Sequence, residues 1–271
     1  MTGDSGGGSP RTLSTVSTAM EAVKAIEATD GTGVTELADR LDISKSSAHA
    51  YLATLEQSGF LVNRDGRYEL SLMFFVLGEY ARNRSLLDEM IIRKLDELAA
   101  ETAHYTHLVT EENGRGINLY KGKGEAAVGD DYQRAKRQQR DYLHITASGK
   151  AILAFLPQHR VEAIVDRHGL PRRTANTITD REELFDHLAT VRERGYAVND
   201  EEEIEGLRAV GAPIRDRDGD VLGSISISGP TSLVDGDTFY EALPERVMET
   251  ANIIEVNRNM SDRRSDIETL I

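Results

Sequence analysis

From Leu13 to Leu70 the apolar positions recur at helical spacing in three successive stretches and then change to strand-like runs around a tight turn. Val16, Met20, Val23 and Ile26 mark a first helix, which Asp30-Gly31-Thr32-Gly33 brings to a stop. Leu37, Ala38 and Leu41 mark a short second helix, with Thr35 the expected cap and Glu36 suited to its positive end. After the turn Asp42-Ile43, Ser44 is expected to cap a third helix that buries Ala48, Leu52 and Leu55. Its opposite face carries Lys45, Ser46, His49, Ala50 and Ala53. Phe60-Leu61-Val62 and Tyr68-Glu69-Leu70 flank Asn63-Arg64-Asp65-Gly66-Arg67, and Asp-Gly between apolar runs predicts a hairpin.

Helix, helix–tight turn–helix and hairpin make a winged helix-turn-helix, which sets its last helix in the DNA major groove. Lys45 suits phosphate, Ser46 and Ser47 suit phosphate or base edges, and His49 offers a ring donor or acceptor. Arg64 and Arg67 flank the wing tip, within reach of phosphates or a minor groove. With Thr35 these are the candidate DNA-binding residues. The competing reading is a structural three-helix module with a solvated polar face.

Beyond the hairpin, Ser71–Arg84 forms an apolar helix whose Leu72, Phe74, Phe75, Val76 and Leu77 call for cover, from a partner chain or from the C-terminal domain of its own chain. A longer helix, expected to be capped at Ser85, carries Leu87, Ile91, Leu95 and Leu98 on one stripe. Tyr105–Thr110 and Gly116–Tyr120 form a hairpin around Asn113-Gly114, and Arg208–Asp216 and Asp220–Ser228 form another across Asp218-Gly219. Helical stretches are expected at residues 147–156, 160–168, 180–194 and 237–260, giving an α+β fold. Ser148-Gly149 opens a helix, where unpaired N–H groups favour an anion. Ser224, Ser226 and Ser228 share one strand face: turned inward they line a polar pocket, turned outward they are an ordinary solvated surface.

Charge changes the picture. The 271 residues carry 32 Lys and Arg against 46 Asp and Glu, a net charge of −14, and the carboxylates are scattered along the chain. A basic patch is the usual footprint of nucleic-acid binding, and residues 11–71 hold 6 basic and 9 acidic side chains. A dispersed acidic surface with little Lys suits a protein working in concentrated salt, where repulsion is screened within about 3 Å. The absence of cysteine excludes disulfides, thiolate metal sites and catalytic Cys. With no apolar run long enough to span a membrane and no signal peptide, the expectation is a cytoplasmic protein that does not enter a membrane.

Three separated blocks resemble one family. Val34-Thr35-Glu36-Leu37-Ala38 with Ser44-Lys45-Ser46-Ser47-Ala48-His49 and Leu52–Phe60 is similar to the N-terminal domain of IclR-type transcriptional regulators. Thr146-Ala147-Ser148-Gly149-Lys150-Ala151 resembles the opening helix of that family's effector domain. Arg194–Glu202, Gly206-Leu207-Arg208, Ala212-Pro213-Ile214 and Ser226–Pro230 resemble its signature in order and spacing. The resemblance implies a winged helix-turn-helix domain at 11–71 and a linker helix at 72–84, with a GAF-like α+β effector-binding domain at 85–262. A disordered tail at 1–10 and a C-terminal tail at 263–271 complete the division. It further implies that Ser148, Gly149, Asn199, Leu207, Ala209, Ser226 and Ser228 contact a small-molecule effector. Ala50 stands where the family often has Arg, Asn199 where Asp is common, and Ala209 where some members have Cys. Neither operator nor ligand follows from any one relative.

Other chemistry fits poorly. A phosphate loop ending at Gly149-Lys150 needs Gly at His144 and a hydroxyl at Ala151. His104 and His107 lack placed partners for a metal, and no Gly-x-Ser-x-Gly elbow supports a triad. Neither a cofactor nor a metal is expected. Arg134, Lys136, Arg137 and Arg140 read as a solvated loop, with an interprotomer or ligand-lid contact as the sharper option. The sequence therefore predicts a non-enzymatic regulator that binds double-stranded promoter DNA as a homodimer or dimer of dimers. A small metabolite, an organic or sugar acid, is expected to modulate it. The alternative is a small-molecule-binding signalling or enzymatic domain with an N-terminal oligomerisation module.

Overall fold

Left-handed residues set the corners of the N-terminal unit, which ends at Ala81 in a computed structural model that describes residues 12–128 and 140–269, with side chains through residue 260. Helix α1 (Ser14–Thr29) stops where Asp30 and Gly31 take positive φ, and α2 (Val34–Leu41) stops at left-handed Asp42. Helix α3 (Lys45–Gln57) is capped as expected, Ser44 Oγ accepting from the Ser47 N–H at 3.0 Å. For α2 the expectation needs correcting. Gly33 occupies the cap position, Glu36 reaches back to its N–H at 3.5 Å, and Thr35 lies exposed in the first turn. Strands β1 (Leu61–Arg64) and β2 (Arg67–Leu70) pair around Asp65 and Gly66, both at positive φ, as the Asp-Gly signal requires. Ala22, Ile26, Leu37, Ala48, Leu52, Leu61 and Tyr68 form the core. Helix α4 (Met73–Asn83) follows with none of its residues buried.

The second unit begins at Arg82. Its helix α5 (Glu89–Thr102) starts one turn later than expected: the cap is Asp88, whose carboxylate accepts from the Ile91 N–H at 2.8 Å, and not Ser85. Among the described residues six strands follow, namely β3 (Tyr105–Glu112), β4 (Arg115–Lys123), β5 (Asp141–Tyr142), β6 (Ala197–Asp200), β7 (Leu207–Arg215) and β8 (Val221–Pro230). They form one antiparallel sheet in the order β5-β4-β3-β8-β7-β6.

Alternation along the strands gives the sheet two different faces. Leu108, Ile225, Ile227, Val210, Ala212 and Ile214 pack with α5 and with α9 (Leu243–Thr269), which a π turn at Thr238–Ala242 introduces. Helix α9 therefore runs on past residue 260, where the sequence pattern ends. The other face meets α6 (Ala147–Phe155), whose residues 147–154 are all buried. Helices α7 (Gln158–His168) and α8 (Arg181–Arg194) complete that layer through Val161, Ile164, Leu184, Leu188 and Val191. Two glycines let α6 come close. A Cβ on Gly211 would sit 2.9 Å from the Ser148 nitrogen, and one on Gly149 would sit 2.2 Å from the Leu143 carbonyl oxygen.

Candidate functional site

Register assembles the site in the second unit. Asn199 pairs with Ala209, Ala209 with Ser228 and Ser228 with Tyr105, while Gly211 pairs with Ser226 and Ser226 with His107. Asn199, Ala209, Ser226, Ser228 and His107 thereby share the sheet face that meets the first turn of α6. The serine row faces inward: Ser224 is fully buried, Ser226 and Ser228 nearly so.

His107, Asn199, Ala209, Ser226 and Ser228, with Ser148, Thr146, Ala147, Val109, Asn118, Asp141 and Glu203, line a cavity of about 20 Å³, room for about one water-sized group. Of the seven effector positions implied by resemblance, Ser148, Asn199, Ala209, Ser226 and Ser228 come together. Gly149 and Leu207 do not join the lining. The N–H of Gly149 is taken by the Thr146 hydroxyl at 2.9 Å, and its missing side chain serves the contact with Leu143.

Hydrogen-bond directions give the cavity its character. Ser148 Oγ donates to Ser226 Oγ at 2.7 Å. The Asn118 amide donates to His107 Nδ1 at 3.1 Å, which places the ring proton on Nε2, and that N–H donates to Ser228 Oγ at 2.9 Å. Ser226 and Ser228 each accept a bond and keep their own hydroxyl proton for a further acceptor. Asn199 Oδ1 accepts from the Glu202 N–H at 2.8 Å, while its buried Nδ2 has no partner among the described residues. Three donors thus converge beside the N-terminus of α6, whose dipole is positive at this end. Asp141 and Glu203 add carboxylates to the rim of donors.

Behind the cavity lies a charged network that sequence reasoning passed over when the phosphate-loop reading failed. Lys150 is wholly buried and paired with Glu202. Burial drives both toward their neutral forms, Lys150 below its ordinary range and Glu202 above, against the attraction between them. Burial also lowers His144 and His187 to about 4, with the Lys150 charge opposing their protonation, so both stay neutral near pH 7. His104 is lowered by burial as well. Among the described residues no cluster of His, Cys, Asp or Glu suits a metal ion.

The DNA-side candidates occupy the N-terminal unit. Lys45, Ser46, Ser47 and His49 are exposed on α3, opposite buried Ala48 and Leu52. The two wing arginines differ. Arg64 stays exposed beside Glu69 at 3.0 Å. Arg67 turns back, its guanidinium donating to the carbonyls of Gly31, Thr29 and Asp30 at 2.8, 3.1 and 3.4 Å. That is a cap on the C-terminus of α1, a cation at the negative end of a helix. Arg134, Lys136 and Arg137 lie outside the described residues, as does the tail at 1–10, and Arg140 is exposed.

Family models agree with this division. The IclR helix-turn-helix domain matches residues 15–65, and the C-terminal domain of the bacterial transcriptional regulator IclR matches residues 80–256. A Halobacterium salinarum protein named as a probable HTH-type transcriptional regulator ArcR is 41% identical over 250 residues, covering 92% of this chain and 95% of its own length. The Escherichia coli HTH-type transcriptional regulator KdgR is 35% identical over 204 residues, covering 73% and 75%. The crystal structure of the Thermotoga maritima IclR superposes with a TM-score of 0.69 at 28% identity, covering 92% of this chain and all of that one. Among the described residues no helix is long and apolar enough to cross a membrane. A winged helix-turn-helix followed by an α+β effector-type domain, matched along nearly its whole length, makes this chain a DNA-binding transcription regulator of the IclR family.

Proposed function

We propose that the regulator reads a pseudo-palindromic operator as a homodimer or dimer of dimers, and that a small organic or sugar acid in the second unit sets its affinity for DNA. The observation that carries the ligand class is the convergence of the Ser226 and Ser228 hydroxyls and Asn199 Nδ2, which has no partner among the described residues, beside the α6 N-terminus. Such a cluster asks for an oxygen acceptor bearing negative charge, a carboxylate. Asp141 and Glu203 suit hydroxyls on the same molecule. The cavity is too small for such a ligand as it stands, so binding requires α6 and the β6–β7 turn to part, a change able to bias the whole unit.

On the DNA side, Lys45, Ser46, Ser47 and His49 contact the major groove, Thr35 the backbone, and Arg64 the flanking phosphates. Arg67 supports the wing from behind. Leu72, Phe75, Val76 and Tyr80 are exposed on or next to α4 and supply an apolar surface for a second copy of the chain. The dispersed negative charge supports operation in concentrated salt inside the cell.

A thermal-shift screen of carboxylates and sugar acids tests the pocket, since a bound ligand raises apparent stability by mass action. Ser226→Ala with Ser228→Ala abolishes the shift on this account. An intact shift sinks the assignment.

A further inference from the structure

The pocket is held together from behind by an unusual element, a lysine with no exposed surface. Lys150 stands on the first turn of α6, two residues after Ser148, and its ammonium meets the Glu202 carboxylate. Glu202 lies in the turn between β6 and β7, which follows Asn199 near the end of β6 and carries Glu203 on the cavity wall. The turn is fastened on its other side by threonines: the Thr177 and Thr174 hydroxyls donate to the Glu202 carbonyl at 2.7 and 3.3 Å, and Thr174 also reaches the Glu201 carbonyl at 2.7 Å. The Glu202 N–H reaches back from the turn to Asn199 Oδ1 on β6 and so fixes which way the Asn199 amide points.

A buried ion pair is a poor way to gain stability, because removing two charges from water cancels most of their attraction. The pair here is also incompletely satisfied, since Glu202 Oε2 has no partner among the described residues. An apolar pair of similar volume would fill the space without that cost. What the ion pair supplies, and an apolar pair would not, is a directional tie between two elements that share no backbone hydrogen bonds among the described residues.

We infer that the Lys150–Glu202 pair is a positioning element for the effector pocket, a latch holding the β6–β7 turn on the first turn of α6 so that Asn199 faces Ser148 and Ser226. This rests on the pocket assignment proposed above. Lys150 and Glu202 do not line the cavity; they act through Asn199 and Glu203. Opening the latch frees one wall of a cavity that must widen to admit a ligand.

Amide hydrogen exchange on the full-length chain without ligand tests the latch. The double variant Lys150→Met/Glu202→Leu replaces the pair by apolar groups and keeps the core filled, and Glu202→Gln keeps a hydrogen bond while removing one charge. In the double variant, exchange across residues 199–206 rises at least tenfold while β3, β7 and β8 hold their wild-type rates. The Asn199 side-chain amide resonance also moves toward its solvent-exposed position. Glu202→Gln gives a smaller change in the same segment. Unchanged exchange at 199–206 overturns the inference. So does a rise spread equally through β7 and β8, because the pair is then a general support of the core. The readout needs no ligand, so a failed ligand screen and a failed latch remain separate results.

Discussion

Arg64 and Arg67 are interchangeable in the sequence, flanking one turn of the wing, and the structure gives them different work. Arg67 is half exposed and bonds three carbonyls at the end of α1. A hydrogen bond from a charged donor nets about 1.5–3 kcal/mol when well made, and a cation at a helix C-terminus about 0.3–1. Allowing for solvent, Arg67→Ala costs the N-terminal unit about 1.5 kcal/mol, or about tenfold in local opening. Arg64 is 70% exposed beside Glu69, and exposed pairs contribute about 0–1 kcal/mol. Arg64→Ala thus changes opening by less than about fivefold. Amide exchange of peptides from α1, α2 and the wing reads both values directly. Anisotropy with promoter DNA at matched KCl reads the other half: Arg64→Ala weakens binding about fivefold and lowers the salt slope by about one. If Arg67→Ala leaves α1 exchange unchanged, or Arg64→Ala leaves DNA affinity unchanged, the division of labour is wrong.

The remaining predictions concern packing, pH and salt. Gly149→Ala places a methyl 2.2 Å from the Leu143 carbonyl oxygen, so overpacking destabilises the second unit by about 3 kcal/mol, visible as a lowered unfolding midpoint; a wild-type midpoint contradicts the close approach. His144 and His187 sit at about 4 when folded against 6.5 when unfolded, so the unfolded chain binds more protons below pH 6.5. Stability therefore falls from pH 6.5 toward 4, by up to about 3 kcal/mol for buried His144 and by less for His187, which is partly exposed and screened by solvent. Denaturant unfolding at both pH values checks this, and His187→Gln must flatten the profile. Specific DNA binding survives in molar KCl with a shallow salt slope, since few basic side chains face the DNA and few counterions are released; a steep loss of affinity refutes the high-salt reading.

Local chemistry was legible and long-range register was not. Ser44, the Asp65-Gly66 turn and the stripe Ala48–Leu52 were read correctly because each depends on neighbours within a few residues. Thr35 and Ser85 failed as caps because several cap-competent residues stood close together, and tertiary packing chose Gly33 and Asp88. The inward turn of Ser226 and Ser228 needed the sheet order, since alternation says which residues share a face but not which face is buried. His107, Asn118 and Asp141 reach the cavity only through the β3–β4–β5 pairing. Lys150 carries no local sign of burial: its partner is 52 residues away. The same locality explains Arg67, whose partners at the end of α1 and in the turn after it lie 36 to 38 residues upstream.

The central claim is that one acid-binding pocket governs one DNA-binding surface. The direct measurement is operator affinity by anisotropy, titrated with the acid that gives the largest thermal shift, in the wild type and in Ser226→Ala/Ser228→Ala. Coupling of about 1–3 kcal/mol, roughly 5–150-fold in affinity, is expected for the wild type, and none for the variant at the same acid concentration. An equal shift in both proteins, or no shift in a wild type that demonstrably binds the acid, contradicts the account.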